Sequence, residues 1–375
     1  MILKKILCLL TALALLAGCF PAALAEAPVS AVYEIREFEE FGGVYLICSF
    51  DEFLQTGFQL GDSCDLDFSN GFRLEDVPVY DGYYCRSGSP LIVLYPGYDH
   101  PCANSCNIGN LWTSSGAKAG DTVTVTLREK GKYADEQEAL SAVYTNHRED
   151  YASDEVFSNF RELSGGRLRS GFFFRGASPV DDKNLRAACT DALIRQNGIG
   201  FVLDLADTEE KAAAYPFFSG SRLEELLGEG RAACVGLNAA YRSAEYAEKL
   251  CGGLRRMISQ DQPVYIHCTE GKDRTGFVCL LLEALAGADE EELLQDYMIT
   301  YENYYGITEA GTPEKYAAIV QLRFRDMIEW LAGVPEGTEL AGQTFEQPAR
   351  EYLARGGMTE SEIGALTQYL IQDHD

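Results

Sequence analysis

The stretch from Pro263 to Ala286 limits the folds open to this 375-residue chain more than any other. Its first residues, Pro263 to Ile266, form a short apolar run that is typical of a buried strand. A polar turn follows, and the long apolar run from Thr275 to Ala286 indicates a buried helix. Because a strand followed directly by a helix is the basic unit of parallel sheets, this stretch predicts an α/β fold.

The same alternation of strand and helix patterns extends over the second half of the chain. Helical patterns cover residues 181–197 and 240–260, and a turn with a buried strand covers Gly198 to Leu205. The sequence therefore predicts an α/β domain over residues 155–375, with a central, mainly parallel sheet flanked by helices.

The first half has a different pattern. Residues 121–127 alternate between apolar and polar side chains, as in a half-buried strand, and short apolar runs lie at 44–48 and 91–95. Turn signals separate these runs, for example Asp81-Gly82. We expect a small β-rich domain over residues 28–150, either a sandwich or a barrel.

The first 25 residues are typical of a signal peptide. Two lysines precede an apolar run from Ile6 to Ala17, and the small residues of Ala23-Leu24-Ala25 offer a cleavage site. A second interpretation is a lipoprotein, because Leu16-Ala17-Gly18-Cys19 resembles a bacterial lipobox and would leave Cys19 lipidated. Both interpretations predict an extracytoplasmic protein, secreted or anchored at the cell surface. Membrane contact is expected in the lipoprotein interpretation alone, through the lipid anchor at Cys19.

The charge of the chain argues against some partners. It has 58 acidic and 31 basic residues and a formal net charge of −27. Nucleic acids and anionic membrane surfaces would be repelled by such a field, so we do not expect them as partners. An anionic substrate would need a local site that overcomes this field.

The turn that follows the strand at 263–266 has the composition of such a site. Five residues separate Cys268 from Arg274, and backbone N–H groups in a turn of this kind can surround an anion at the start of a helix. The same field favours the thiolate form of Cys268. Arg274 can donate two parallel hydrogen bonds to phosphate oxygens. The turn therefore predicts nucleophilic attack by a thiolate on a bound phosphate, with a phosphocysteine intermediate.

The string from His267 to Gly276, His-Cys-Thr-Glu-Gly-Lys-Asp-Arg-Thr-Gly, resembles the signature of the cysteine-dependent protein-tyrosine-phosphatase superfamily. It is most similar to a bacterial branch whose members act on phosphotyrosine and in several cases on phosphoserine, phosphothreonine or phosphoinositides. Further segments similar to that branch are Phe172–Pro179, Gly198–Lys211, Asp296–Gly306 and Tyr352–Leu370. The resemblance covers about residues 155 to 372 and leaves out the β-rich half.

The resemblance assigns roles by position. Cys268 would be the nucleophile and Arg274 the phosphate clamp, and Thr275 would hydrogen-bond the sulfur. His267 would orient the loop, and Lys272 would add positive charge at its rim. The phosphate would be held by the amides of Thr269, Glu270, Gly271, Lys272, Asp273 and Arg274.

The general acid has two candidate positions. In the branch with Lys-Asp-Arg in its loop, the aspartate of the loop is the candidate, which is Asp273 here. Phosphatases of the superfamily usually carry the acid on a separate loop, and Asp204 and Asp207 follow a buried strand upstream. The branch usually has arginine after Asp-Leu, whereas this chain has Ala206.

Other residues near the signature have structural interpretations. We expect Arg175 to be a structural ion-pair partner. Tyr301, Tyr304 and Tyr305 could cover the pocket or pack in the core.

The predicted activity is that of an exported phosphatase that needs no metal or cofactor. Its predicted substrate is a phosphorylated protein or a phosphoinositide, and phosphotyrosine is the preferred prediction. One alternative is an inositol-polyphosphate phosphatase. Another is a surface protein that binds phosphorylated ligands without turnover.

Overall fold

The computed structural model of the chain describes residues 29–39, 42–105 and 110–371. The predicted signal peptide and the lipobox cysteine Cys19 lie outside the described residues. None of the described helices is long and apolar enough to cross a membrane.

Seven strands of the first half close into a barrel. They are β1 (Ser30–Phe38), β2 (Gly43–Leu46), β3 (Ser63–Phe68), β4 (Arg73–Tyr80), β5 (Pro90–Val93), β6 (Cys102–Ser105) and β7 (Thr122–Glu129). Around the barrel the order is β1, β2, β6, β5, β4, β3 and β7, and β7 pairs with β1. The predicted alternation in β7 is present, because Val123 and Val125 are buried in the barrel core. Of the two expected β architectures, the barrel is the one observed.

The second half is built on a five-stranded sheet. Its strands are β8 (Arg161–Glu162), β9 (Phe173–Gly176), β10 (Phe201–Asp204), β11 (Ala232–Cys234) and β12 (Val264–His267). In space the order is β11, β10, β12, β9 and β8; the first four run parallel and β8 is antiparallel to β9. This is the mainly parallel sheet that the sequence predicted.

Helices cover both faces of this sheet, and short helices pack beside the barrel. In chain order they are α1 (Phe50–Gln55), α2 (Leu111–Ser115), α3 (Ala134–Leu140), α4 (Asp154–Phe157), α5 (Ala187–Gln196), α6 (Glu209–Ala213), α7 (Arg222–Gly228), α8 (Ala244–Ile258), α9 (Asp273–Leu285), α10 (Glu290–Tyr305), α11 (Pro313–Ile319), α12 (Asp326–Ala332), α13 (Glu346–Arg355) and α14 (Glu360–Ile371). A 3₁₀ turn covers Arg148–Asp150, and a π-helical turn, Val320–Arg325, joins α11 to α12.

Helix α9 is the central helix of the second half. Every residue from Thr275 to Leu285 is buried, which explains why its sequence is apolar on all sides. The helix begins at Asp273, two residues before the start that hydrophobicity predicted, because its first turn carries polar side chains. At α10 the three-residue spacing of Asp289 and Glu292 in the sequence predicts a helix cap, and the structure confirms it, since the two residues form a reciprocal capping box.

Candidate active site

Three parallel strands end at the same edge of the sheet and position the candidate site. Asp204 at the end of β10 pairs in register with His267 at the end of β12, and His267 pairs with Gly176 of β9. Cys268 follows directly and is only 3% exposed. Ligands of open α/β sheets bind at such carboxyl edges. The signature turn therefore lies where the fold favours a binding site.

The carbonyl groups of the turn are bonded away from its centre. The backbone N–H of Ser178 donates to the carbonyl of Thr269 at 3.1 Å. The hydroxyl of Tyr304 donates to the carbonyl of Glu270 at 2.7 Å. Two successive peptide groups are thus fixed by partners from different parts of the domain.

The next carbonyl, that of Gly271, accepts two hydrogen bonds. Nη2 of Arg175 donates at 3.0 Å and Nδ2 of Asn159 at 3.2 Å. Gly271 has a φ of +69°, and a Cβ atom added there would lie 2.2 Å from the carbonyl oxygen of Gly176. Only glycine fits this position, because a side chain would meet both backbone strain and a collision.

With its carbonyls held outward, the turn presents its amides. Within the described ranges, no hydrogen bond uses the N–H groups of residues 269–274 as donors. Unpaired amides at the start of a helix are the donors that bind phosphate groups in proteins. The turn therefore has the geometry of an anion cradle.

Arg274 closes the cradle from the first turn of α9. Its Nη2 donates to Oγ1 of Thr269 at 3.2 Å, and its Nη1 donates to the carbonyl of Leu237 at 3.1 Å. The guanidinium is thereby held across the turn, beside Cys268. Burial disfavours the charge of Arg274, but the neighbouring Cys268 and Tyr246 raise its pKa above the ordinary value.

A small cavity of about 70 Å³ opens beside Arg274. Its lining residues are Ser87, Ala239, Tyr241, Tyr246, Asp273, Arg274, Tyr297, Leu322, Arg323, Asp326 and Met327. Cys268 does not line this cavity, but it interacts electrostatically with both Arg274 and Tyr246, which do. The predicted nucleophile and clamp are therefore close to each other, and the clamp lines the cavity.

Sequence reasoning missed several of the lining residues. Tyr246 is the clearest case, because its buried hydroxyl has no hydrogen-bond partner within the described residues and it lines the cavity. Burial raises its pKa well above the ordinary value, so it remains a hydrogen-bond donor. Tyr246 lies on α8 behind an ordinary serine cap, and no local motif marks it.

The three candidate acids have different surroundings. The Asp273 carboxylate lines the cavity and is 67% exposed. Asp204 is fully buried, and its Oδ1 accepts from the backbone N–H groups of Ala206 and Asp207. Burial raises the pKa of Asp204, against the lowering effect of His267. The structure therefore places Asp273, and not Asp204, at the cavity.

Asp207 is also buried and does not line the cavity in the described part of the chain. Its Oδ1 accepts from the hydroxyl of Tyr215 at 3.3 Å and pairs with Lys211 at 2.9 Å. Its Oδ2 has no hydrogen-bond partner within the described residues. These contacts hold Asp207 in the wall of the domain.

His267 and Thr275 flank the cradle as the sequence predicted, with one difference. Nδ1 of His267 lies 3.2 Å from the carbonyl of Cys268 and 3.9 Å from Oδ1 of Asp204, so the ring supports the backbone of the nucleophile. The hydroxyl of Thr275 is buried but has no hydrogen-bond partner among the residues described. The expected bond from Thr275 to the sulfur is absent from this structure.

Lys272 is engaged by its own neighbours. Its Nζ lies 3.5 Å from Oε2 of Glu270 and 3.3 Å from the hydroxyl of Tyr305. Burial disfavours its charge, but Tyr305, Asp273 and Glu270 raise its pKa well above the ordinary value. Glu270 also accepts from the hydroxyl of Tyr144 at 2.7 Å. The positive charge that was predicted at the rim is therefore largely neutralised.

Arg175 and the tyrosines of α10 support the turn from behind. Arg175 is 1% exposed and forms the expected ion pair, with Asp296, in addition to its bond to the turn. Tyr301 and Tyr304 are buried, and Tyr305 is partly buried. For Tyr304, packing behind the turn is the observed role, because its hydroxyl holds the Glu270 carbonyl.

Within the described ranges, no group of three or more His, Cys, Asp or Glu side chains is arranged to hold a metal ion.

A buried cysteine and an arginine, held at the two ends of an amide-lined turn on a parallel sheet, define the tyrosine-phosphatase class of site. The model of the tyrosine phosphatase family matches residues 154–372, which is more than half of the chain. The chain belongs to that family.

Individual relatives are more distant. A curated protein of Cupriavidus necator, provisionally named a tyrosine-protein phosphatase, is 27% identical over 186 residues. The match covers 43% of this chain and 66% of the relative, so the chain spans slightly less than two thirds of that protein's length. A crystal structure of an uncharacterized conserved protein from Thermotoga maritima is 18% identical in sequence to this chain, with a TM-score of 0.23. The match covers 27% of this chain and 38% of the Thermotoga chain. That similarity is too low to support an inference.

Proposed function

We propose that the protein hydrolyses phosphate monoesters through a phosphocysteine at Cys268. The observation that carries the proposal is the set of amides at residues 269–274, which have no hydrogen-bond acceptor within the described residues. The first three carbonyls of the turn are held outward by Ser178, Tyr304 and Arg175. Preorganised donors of this kind stabilise the charge that develops on phosphate oxygens in the transition state. Arg274 adds donors that match two of those oxygens.

The reaction has two steps. The Cys268 thiolate attacks phosphorus, so that a sulfur–phosphorus bond forms as the ester phosphorus–oxygen bond breaks. The leaving oxygen takes a proton from Asp273, which lines the cavity. A water molecule then attacks phosphorus and gives a proton back to the Asp273 carboxylate. Cleavage of the sulfur–phosphorus bond releases phosphate and restores the thiolate.

The cavity walls favour an aromatic phosphate ester. Tyr241, Tyr297, Leu322 and Met327 surround the space beside Arg274, and such side chains suit the ring of phosphotyrosine. Phosphoserine, phosphothreonine and phosphoinositides rank lower in our proposal. Recognition of an inositol headgroup through Lys272 would require the contact with Glu270 to open first.

An inositol polyphosphate fits the cavity less well. It carries several phosphate groups and would need several cations without partners. The cavity is lined by two arginines, Arg274 and Arg323, and by two carboxylates, Asp273 and Asp326, so its lining has no excess of positive charge for a second phosphate.

The experiment that tests the proposed function is a substrate panel on the native chain and on Cys268→Ser. The panel contains phosphotyrosine and phosphoserine peptides, phosphoinositides and inositol phosphates. We expect phosphotyrosine turnover by the native chain and none by Cys268→Ser, because a hydroxyl in this position is a far weaker nucleophile. Vanadate should inhibit the native chain competitively.

The matched control is Cys189→Ser, which changes a cysteine on α5 outside the site and should leave turnover unchanged. Undiminished hydrolysis by Cys268→Ser would contradict the mechanism. Binding of phosphotyrosine without turnover by the native chain would support the phospho-ligand-binding alternative.

A further inference from the structure

One loop of the barrel leaves its own half and reaches the candidate active site. It connects β4 to β5 and comprises residues 81–89; we call it the β4–β5 loop. The family model matches only residues 154–372, so this loop lies outside the region that defines the family. Its Ser87 lines the same cavity as Asp273 and Arg274.

Arg86 anchors the loop to the second half. Its Nε lies 3.3 Å from Oδ1 of Asp326, its Nη2 lies 2.5 Å from Oε2 of Glu329, and it also pairs with Glu336. The side chain of Arg86 is 15% exposed, and those of Asp326 and Glu329 are 10% and 3% exposed. Ion pairs this well shielded from solvent define one geometry much more strictly than exposed pairs do.

Ser87 is held at the cavity by two further contacts. Its backbone N–H donates to Oδ2 of Asp326 at 3.2 Å. Its Oγ lies 3.4 Å from the hydroxyl of Tyr241, which also lines the cavity. The loop therefore forms part of the cavity wall.

The loop also contacts a π-helical turn of the second half, Val320–Arg325. Arg323 of this turn donates to the carbonyl of Tyr83, and Leu322 and Arg323 both line the cavity. π-helical turns within helices occur frequently at functional sites. The contact joins the barrel loop to a segment that shapes the pocket.

The loop also rests on a packed base. Tyr84 packs against the hydrophobic core of the second half, and Leu140, just after the barrel, is buried within that core. These apolar contacts hold the base of the loop against the second half.

We propose that the β4–β5 loop is a substrate-specificity element of the pocket, an inference that rests on the proposed phosphatase function. With Ser87 as outer wall, the pocket admits a phosphate carried on a flat ring and excludes wide, branched carriers such as inositol phosphates. The barrel thereby takes part in substrate selection.

The test uses Ser87→Trp in the full chain. The indole should fill the part of the cavity that Ser87 lines and leave the backbone amides of the cradle in place. We expect kcat/KM for a phosphotyrosine peptide to fall at least about tenfold, mainly through KM, because a steric mismatch of this size discriminates substrates strongly. Inhibition by vanadate should change less than about twofold, since the small anion needs only the cradle.

The matched control is Ser30→Trp, the same substitution at an exposed position of β1, which should behave as the native chain. A second variant, Arg86→Gln, removes the anchor, and we expect the KM for the peptide to rise severalfold with little change in kcat. Its control is Arg128→Gln, an arginine that pairs within the barrel.

The outcomes separate the two proposals. If the native chain turns over no phosphate ester, the proposed function fails. If the native chain is active and Ser87→Trp hydrolyses the peptide equally well, the loop is not a specificity element, although the function stands. Loss of vanadate inhibition in Ser87→Trp would also contradict this inference, because the substitution would then have disturbed the cradle.

Discussion

Asp273 stands on the first turn of α9 with most of its carboxylate exposed, beside the guanidinium that would hold the phosphate. Asp204 and Asp207 are buried in the wall of the domain. A general acid must come within hydrogen-bond distance of the leaving oxygen, and Asp273 is the candidate that the cavity exposes.

We therefore expect Asp273→Asn to slow the first chemical step in a way that depends on the leaving group. For phenyl phosphate, whose phenolate is a poor leaving group, kcat/KM should fall by about 10²-fold or more, because the leaving oxygen needs a proton. For p-nitrophenyl phosphate, whose leaving group is stable as an anion, the decrease should be much smaller. Burst-phase kinetics with both substrates would measure this difference.

Asp207→Asn serves as the comparison in the same assay. It should show a similar, small effect on both substrates. If the dependence on leaving group appears in Asp207→Asn and not in Asp273→Asn, the assignment of the acid is wrong.

At the scale of elements, β9 and α10 act together to hold the turn. Arg175 on β9 bonds the Gly271 carbonyl and pairs with Asp296 on α10, which also pairs with Arg161 at 2.8 Å. Burial opposes ionisation of Asp296, but the two arginines lower its pKa below the ordinary value. One carboxylate thus balances two buried guanidinium groups.

Asp296→Asn should lower the free energy of unfolding by about 3–5 kcal/mol at neutral pH, because it leaves buried charges without compensation. Since the pKa of Asp296 is lower in the folded state, its contribution is present above about pH 4 and is lost as the pH falls through the folded value. The stability difference between the native chain and the variant should therefore shrink in acid. Denaturant unfolding between pH 3 and pH 7 would measure it, and a constant difference would contradict this account.

The distance along the chain between contacting residues decides which contacts between elements the sequence could predict. The capping box at Asp289 was predictable because its two residues are three positions apart. The contact between Ser87 and Tyr241 was not, because it joins residues 154 positions apart and depends on how the barrel docks. The early start of α9 at Asp273 was missed because polar residues of a first turn do not show hydrophobic periodicity.

For the whole molecule, the net charge of −27 opposes the approach of an anionic substrate, and the cradle compensates for it locally. We expect kcat/KM for a phosphotyrosine peptide with acidic flanking residues to rise severalfold between about 10 mM and 150 mM salt, because the Debye length shortens from about 30 Å to 8 Å. A peptide with neutral flanking residues serves as the control and should respond less. A decrease with salt for the acidic peptide, relative to the neutral one, would contradict this prediction.

The outward carbonyls of Thr269, Glu270 and Gly271 have a thermodynamic consequence. Their partners come from the segment after β9, from α10 and from β9 itself, so contacts within the folded domain fix the turn. Association is weakened whenever a binding loop must lose conformational freedom on contact. Here the turn loses that freedom when the domain folds. The entropy lost in ordering the turn therefore lowers the free energy of unfolding of the domain and does not weaken the affinity for phosphate.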